Sequence, residues 1–238
     1  MLKIHVPMLL LAACSVQMYA SEGDALDLRL SVGTAPGISK DSTTNATTAS
    51  GAANPGADTD TTVSSTYGVD VQVGARWRRE FPGGFGIVAG PDLFFRSVGG
   101  TFNEAVVGLG SFTTTETLTA FGIRAVAGPT FTLPNGIRFE LTPFLEGGGA
   151  TMKVSATIGG NSVSYTSDLG SYFGYGITAG AFYAFDRHFQ LGAQVGFQGF
   201  TAQVKSSAGS SGNVTWNNET DTLTGSGFMG NVTAIWSF

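Results

Sequence analysis

Arginine and carboxylate side chains recur at alternate positions along the chain, where they share one face with glycine, glutamine and threonine. Bidentate pairing of guanidinium with carboxylate offsets desolvation in a confined space, so this pattern predicts an internal network of ion pairs. The nine residues that we assign to a lumen charge network are Arg29, Asp70, Arg76, Asp92, Arg96, Arg124, Arg138, Glu140 and Glu146. Asp27, Arg78 and the inward glutamines lie on the same alternating face.

Two other side chains carry reactive groups. Cys14 is the only cysteine, which excludes a disulfide framework and a cysteine-based zinc site. His188 lies in a short Asp-Arg-His stretch that is typical of a turn. The sequence therefore predicts no metal, no cofactor and no catalytic residue.

The first twenty residues predict an export signal. Lys3 precedes the short apolar stretch from Val6 to Ala13, and Gln17-Met-Tyr-Ala20 is a cleavage region. Two processing routes stay open. Cleavage after Ala20 is favoured, whereas Leu11-Ala12-Ala13-Cys14 resembles a bacterial lipobox in which Cys14 would be lipidated. Residues 21–238 are expected to form a single domain.

Composition excludes several classes of protein. Charged residues make up only 12% of the 238 residues and aromatic residues 11%, unlike a disordered chain. The net charge of −5 argues against a nucleic-acid partner. No apolar run reaches the 18 or so residues that a membrane-spanning helix needs. An all-β chain remains compatible with 35 glycines and 18 phenylalanines.

Turn chemistry divides the exported chain into eight segments. Three short connections are rich in turn residues: 82–84, 133–136 and 186–188. They alternate with four long polar stretches that we interpret as loops: 37–66, 99–115, 158–167 and 206–225. Seven connections join eight segments, and short and long connections alternate along the chain.

Each segment alternates with period two, and one face is apolar in all eight. The segments run for about 9–13 residues, the length of a tilted membrane strand. Aromatic residues gather beside the short turns, where an aromatic girdle would lie. We therefore predict an all-β fold: an eight-stranded antiparallel transmembrane β-barrel, an up-and-down meander with short periplasmic turns and long extracellular loops. Pro91, Pro129 and Pro143 fall on the outward face, and we interpret them as bulges.

The chain resembles the outer-membrane β-barrel family that includes the OmpA transmembrane domain, OmpX, OmpW and opacity proteins. Ala-Gly-Pro, at 89–91 and 127–129, and the stretch 141–149 are similar to strand pieces of that family. The C-terminal Ala234-x-Trp236-x-Phe238 resembles the signal read by the barrel-insertion machinery. The resemblance implies the bacterial cell outer membrane as location, with outer-membrane lipid and the insertion machinery as partners.

Two functions remain open at this point. The favoured one is a structural or surface-interaction barrel with a largely plugged polar lumen, whose long loops meet an unknown extracellular partner. The alternative is a narrow pore for small solutes. A lipid-modifying enzyme is less favoured, since the barrel enzymes of this kind use a histidine at the loop end, whereas His188 is expected at the periplasmic end.

Overall fold

The computed structural model describes residues 24–40, 62–65, 68–106, 110–158, 161–206, 209–211, 214–216 and 219–238. Eight long strands form the barrel. They are β1 Asp24–Ala35, β2 Gly68–Glu80, β3 Phe85–Val106, β4 Gly110–Thr132, β5 Ile137–Ile158, β6 Asp168–Ala184, β7 Phe189–Ser206 and β8 Glu219–Ser237. Five short strands lie in the connections: Ser39–Lys40, Thr62–Ser65, Asn161–Thr166, Gly209–Ser211 and Val214–Trp216.

The eight strands close into a ring. Each pairs antiparallel with its neighbours in the chain, and β1 pairs with β8, for example Leu28 with Trp236 and Val32 with Val232. The prediction of an eight-stranded antiparallel meander is confirmed. Closure leaves no free sheet edge, which a strand structure in hydrocarbon requires. In the described part of the chain, no helix has the length and apolar character to cross a membrane.

The three short turns close one end of the barrel. Gly136, with φ +83°, takes the left-handed conformation that favours glycine, and its N–H donates to Leu133 O at 3.0 Å. The turn before β7 uses a side chain instead, since Asp186 Oδ1 accepts N–H bonds from His188 and Phe189, both at 2.7 Å. The tight connections expected at 82–84, 133–136 and 186–188 are confirmed.

The two faces of the barrel also follow the sequence. Ile123 and Val195 point outward and are 57% and 65% exposed, whereas Arg124 and Gln194 beside them point inward and are buried. An apolar exterior around a polar interior is the reverse of a water-soluble protein and suits a wall that faces lipid. Phe85 and Phe131, in contact at the turn end, and Phe189 with Trp236 belong to the expected girdle.

The prediction of long loops at 99–115, 158–167 and 206–225 is largely wrong, because strands occupy most of these residues. Strands β3, β4 and β5 each run for 22 or 23 residues, about twice the 9–11 that a tilted membrane strand needs. The short strand Asn161–Thr166 pairs back onto β5. The polar composition misled the prediction because threonine favours strands as well as loops. Residues 41–61, within the remaining loop at 37–66, lie outside the described part.

The three prolines are not bulges, contrary to expectation. Pairing between β2 and β3 stops at Gly74↔Asp92 and resumes at Trp77↔Ala89, without a change of register. Pairing between β4 and β5 likewise stops at Val126↔Phe144 and resumes at Thr130↔Glu140. A proline lacks the N–H for the ladder, so pairing lapses beside it without an added residue. Among the described strand pairs, a register shift occurs between Gln203 and Lys205.

Candidate functional site

The periplasmic end of the lumen holds a group of ion pairs that we call the periplasmic cluster. Arg29 on β1 reaches across the lumen to Glu140 on β5, the opposite strand of the ring, with Nη2–Oε1 at 2.5 Å and Nη1–Oε2 at 2.7 Å. Arg138 lies 3.1 Å from carboxylate oxygens of both Asp27 and Glu140. Arg78 approaches Asp27 at 3.3 Å. The pair between β1 and β5 therefore bridges the full width of the barrel.

A second group, the central cluster, lies at the middle of the strands. Glu146 on β5 accepts hydrogen bonds from Arg96 at 3.0 Å, Tyr172 at 3.0 Å and Gln198 at 2.7 Å. Arg124 Nε also donates to Glu146 Oε1 at 2.7 Å. Asp70 pairs with Arg96 at 3.0 Å. The cluster joins side chains of β2, β3, β4, β5, β6 and β7, so it too fills the lumen.

Arg76 and Asp92 form a bidentate pair of their own between the clusters, at 3.0 Å from Nε and 2.5 Å from Nη2. Small residues make room for these carboxylates. A side chain at Gly74 would collide with the carboxylate of Asp92, and a Cβ at Gly174 would lie 2.6 Å from Glu146 Oε2. The glycine on the inward face thus permits the ion pairs.

The charges of the two clusters and the periplasmic rim balance, which is what permits them in a confined space. Isolated buried charges are strongly destabilising, whereas paired and hydrogen-bonded ones are tolerated. Six arginines face six carboxylates within the two clusters, the Arg76–Asp92 pair and the Arg78–Glu80 ion pair at the rim. They are Arg29, Arg76, Arg78, Arg96, Arg124 and Arg138 with Asp27, Asp70, Glu80, Asp92, Glu140 and Glu146.

Above the central cluster the interior becomes apolar. An aromatic layer comes first, with Tyr172 5.3 Å from Phe94 and 5.6 Å from Phe200 between ring centroids. Further up lies a layer that we call the apolar plug. Its members are buried at 5% exposure or less: Ala35, Ile38, Val98, Leu118, Ala120, Ala150, Met152, Val154, Ala202, Val204 and Leu223. Packed hydrophobic side chains thus fill most of the barrel at this level, where Thr114 and Glu116 of β4 are buried beside them.

One side of the lower lumen differs from the rest. The polar side chains that point inward on β7 and β8 are amides and hydroxyls rather than charges, and they alternate with Met229 and Ile235 on β8. Gln190 Oε1, Gln194 Nε2 and both polar side-chain atoms of Asn231 are buried and make no hydrogen bond among the described residues. Buried polar atoms without protein partners are usually satisfied by ordered water. This amide side is therefore the part of the lumen best suited to hold water.

The structure brings all nine residues assigned to the lumen network into the interior, each buried. It divides them between two clusters and one separate pair, whereas the sequence suggested one set. Four participants were left out of that set: Asp27, Arg78, Tyr172 and Gln198. The period-two pattern could have found them, because Tyr172 continues the inward series of Gly174 and Gly176.

The other candidate residues lie at the turn end of the barrel or outside the described part of the chain. His188 lies in the β6–β7 turn, where Nδ1 is 3.0 Å from Ser237 O. Ala234, Trp236 and Phe238 alternate on the outward face of β8, and Trp236 and Phe238 are exposed. Their role as an insertion signal stays a prediction. Cys14 and the signal segment 1–20 lie outside the described residues.

A closed ring of eight strands, apolar outside and ion-paired inside, defines a class of protein. It is the outer-membrane β-barrel, a fold whose exterior is matched to lipid and whose interior is polar. In fold and location, the chain is an eight-stranded β-barrel protein of the bacterial outer membrane, as the sequence predicted.

Several solved structures are similar to this fold. Ail, the attachment invasion locus protein of Yersinia pestis, is 13% identical, with 91% of this chain and 99% of that chain covered and a TM-score of 0.31. Neisserial surface protein A is 10% identical, with 90% and 96% covered and a TM-score of 0.34. OprG of Pseudomonas aeruginosa is 14% identical, with 91% and 96% covered and a TM-score of 0.37. No family model and no curated protein matches the chain.

Proposed function

We propose that the chain is a non-conducting outer-membrane barrel that anchors an extracellular surface for contact with an outside partner. The observation that carries this proposal is the filling of the lumen at two levels. Ion pairs span the barrel from β1 to β5 in the periplasmic cluster, and a packed apolar layer closes it above. Either level alone would obstruct a solute, and eight strands leave room mainly for side chains.

The contact surface is the part of the barrel that rises above the lipid, which we call the extension. Strands β3, β4 and β5 continue about ten residues past the membrane-spanning length. On this part the outward side chains are mostly polar, with Thr113, Thr115, Lys153, Gln203 and Lys205 exposed, and Leu169 is an exposed apolar one. The extended strands form a rigid wall that holds the connections at its top in place. Binding residues are commonly placed on loops held by such a scaffold. The partner itself stays a prediction.

A catalytic role is not part of this proposal. His188 is at the turn end, opposite the extension, and Asp186 beside it is occupied as an acceptor for two backbone N–H groups. Glu146 is held by arginines, a tyrosine and a glutamine rather than poised beside a nucleophile. These contacts support a structural assignment for the charged residues.

Recording from single barrels in planar lipid bilayers tests the proposal. The folded protein should give no stable conductance. Because two obstructions lie in series, a variant that opens one should also stay silent: Leu118→Ala with Met152→Ala thins the apolar plug, and Arg29→Gln with Glu140→Gln removes the cross-lumen ion pair while keeping the charge balanced. Combining the four changes should produce conductance. Stable conductance from the unaltered protein would overturn the proposal.

The amide side of the lumen favours one second candidate, a narrow pore for small solutes. Gln190, Gln194 and Asn231 offer buried polar atoms that suit a column of water. The pore would have to pass Phe200 and Leu223, both buried in the apolar layer. If the unaltered barrel conducts, replacing Gln194 by Leu should reduce the conductance, because that change removes the polar lining without touching the ion pairs.

A further inference from the structure

A groove of about 650 Å³ lies in the outer face of the barrel wall, across β4 to β7. Its outward lining is apolar. The lining side chains that point outward are Ala125, Ala127, Pro143, Leu145, Tyr175, Ile177 and Phe197. These residues lie midway along the membrane-spanning part of their strands, where hydrocarbon rather than water surrounds the barrel. The volume is within the range of sites that hold small molecules.

The groove follows from the chain at this point. Two alanines on β4 leave a depression beside the larger Leu145 and Tyr175. The lapse in pairing between Val126↔Phe144 and Thr130↔Glu140 lies along the same strands. Pro143 has no N–H for the ladder, and it lines the groove. The depression is therefore built from backbone as well as from small side chains.

The floor separates the groove from the lumen. Val126 and Phe144 point inward and pack with Met229 in a small apolar cluster. The guanidinium of Arg124 stacks on the inner side of Phe144, 4.2 Å from the ring centroid. The side chains of Val126 and Phe144 thus lie between the groove and the ion-paired interior.

The groove is open in one direction. Below it, toward the periplasmic turns, β5 presents the large exposed side chains of Leu141 and Phe139. Above it, β5 presents Gly147, where an added Cβ would meet nothing within 4 Å. Gly147 pairs with Ile123 on one side and Phe173 on the other, so the opening is one residue wide. Such a narrow slot admits a single chain of carbons from above.

We propose that this groove binds one acyl chain of an outer-leaflet lipid. At this depth only hydrocarbon or protein can fill an apolar depression, because water is absent. A slot one residue wide, closed below and open above, matches an extended acyl chain better than the wall of a second barrel. The ligand contacts the outer face alone, so the inference does not depend on whether the lumen conducts.

Native mass spectrometry tests this inference. The protein is folded into dimyristoylphosphatidylcholine vesicles, extracted in mild detergent, and the phosphatidylcholine that stays bound is counted. We expect one retained lipid per barrel. Filling the groove with Ala125→Leu and Ala127→Leu should lower the retained fraction by about tenfold, whereas Ala181→Leu with Ala193→Leu, an equal enlargement on the outward faces of β6 and β7, should leave it unchanged.

A second variant guards against a folding defect in the first. Gly147→Leu blocks the upper opening at a position with free space around it, so the barrel should fold and still lose the lipid. Heat-modifiable mobility in SDS confirms folding of each variant. Three outcomes would overturn the proposal: no lipid retained by the unaltered protein, equal retention in both groove variants, or a dimer in place of the lipid-bound monomer.

Discussion

The membrane-spanning part of the barrel and the extension above it share the same strands but have opposite polarity. On β4, Ile123 points outward into lipid and Arg124 points inward. A few residues higher on the same strand, Leu118 points inward at 1% exposure and Thr117 points outward. Even-numbered residues of β4 face the lumen along the whole strand, so no bulge reverses its two faces. The surroundings of the barrel change from lipid to water, and the outward side chains change from apolar to polar with them.

This comparison shows that closure and polarity are separate properties of a barrel. The hydrogen-bonded ring holds in both parts because it satisfies the backbone in either solvent. In water the extension gains stability by burying apolar side chains, as a soluble protein does. In lipid that gain is absent, and the interior is held by ion pairs and hydrogen bonds instead. Four predictions test the difference, from the largest expected effect to the smallest.

The largest effect is expected for Glu146→Ala in the central cluster. This change leaves Arg124 without its nearer carboxylate and Arg96 with Asp70 alone, and breaking a buried ion pair on one side destabilises a protein by about 3–5 kcal/mol. Urea unfolding from lipid vesicles measures the free energy. Glu146→Gln, which keeps an oxygen acceptor for Tyr172 and the arginines, should lose less. Equal losses would show that the charge of Glu146, not its hydrogen bonding, holds the cluster.

The second-largest effect on stability is expected when an arginine is introduced on the outward face of β4, and it should depend on the height of the substituted residue. Ile123→Arg places the charge on the lipid-facing part, where such a substitution destabilises barrels by up to about 2–4 kcal/mol, the full value applying at mid-depth. Thr117→Arg, six residues away on the same face, should change stability by no more than about 0.5 kcal/mol because it meets water. Folding yield and unfolding free energy in vesicles separate the two. A comparable penalty at both sites would place Thr117 inside the bilayer.

A smaller effect is expected from one valine-to-alanine change at two positions of β7. Val204 is fully buried in the apolar plug, and losing two of its carbons should cost about 1.5–2 kcal/mol. Val195 is 65% exposed to lipid, where acyl chains fill the space left by the missing methyl groups. Val195→Ala should therefore have little effect. The same unfolding experiment compares them, and a larger loss at Val195 would contradict the assignment of solvents.

Much of this barrel could be predicted from period-two alternation. The parity of each strand, the three tight turns and the inward arginines are local properties, and a one-residue shift would have turned the whole apolar face inward. The extension could not be predicted in the same way. Above Phe121 the alternation continues, but the inward residues become mainly apolar, as at Leu118, and the outward ones polar, as at Thr117. A search for apolar outward residues therefore ends at Phe121.

The ion pairs that cross the lumen also could not be predicted from the sequence. Arg29 and Glu140 lie 111 residues apart and meet because β1 and β5 are opposite in a ring of eight. The alternation gives the face of each residue but not its height relative to strands that are not adjacent. The separation into two clusters is set by those heights. The lapse in pairing at Pro143 was missed because a proline on an outward face suggests a bulge as readily as a gap.

The smallest effect is expected at the periplasmic rim, where the chain meets water a second time. The backbone N–H groups of His188 and Phe189 donate to Asp186 and hold the pKa of this exposed carboxyl below its usual range. A depressed pKa in the folded state adds stability above the unfolded value, near pH 4, and that stability is lost as the pH falls through the folded value. Asp186→Asn should therefore remove this small acid-dependent part of the unfolding free energy: the variant should be slightly less stable than the unaltered protein at pH 7 and equal to it at pH 2, because its uncharged amide oxygen accepts both bonds at every pH. Unfolding followed between pH 6 and pH 2 measures it, with Arg187→Gln as a neighbouring control that leaves both bonds intact. An unaltered acid profile in the Asn variant would assign the acid sensitivity of the barrel to its ion-paired interior rather than to its turns.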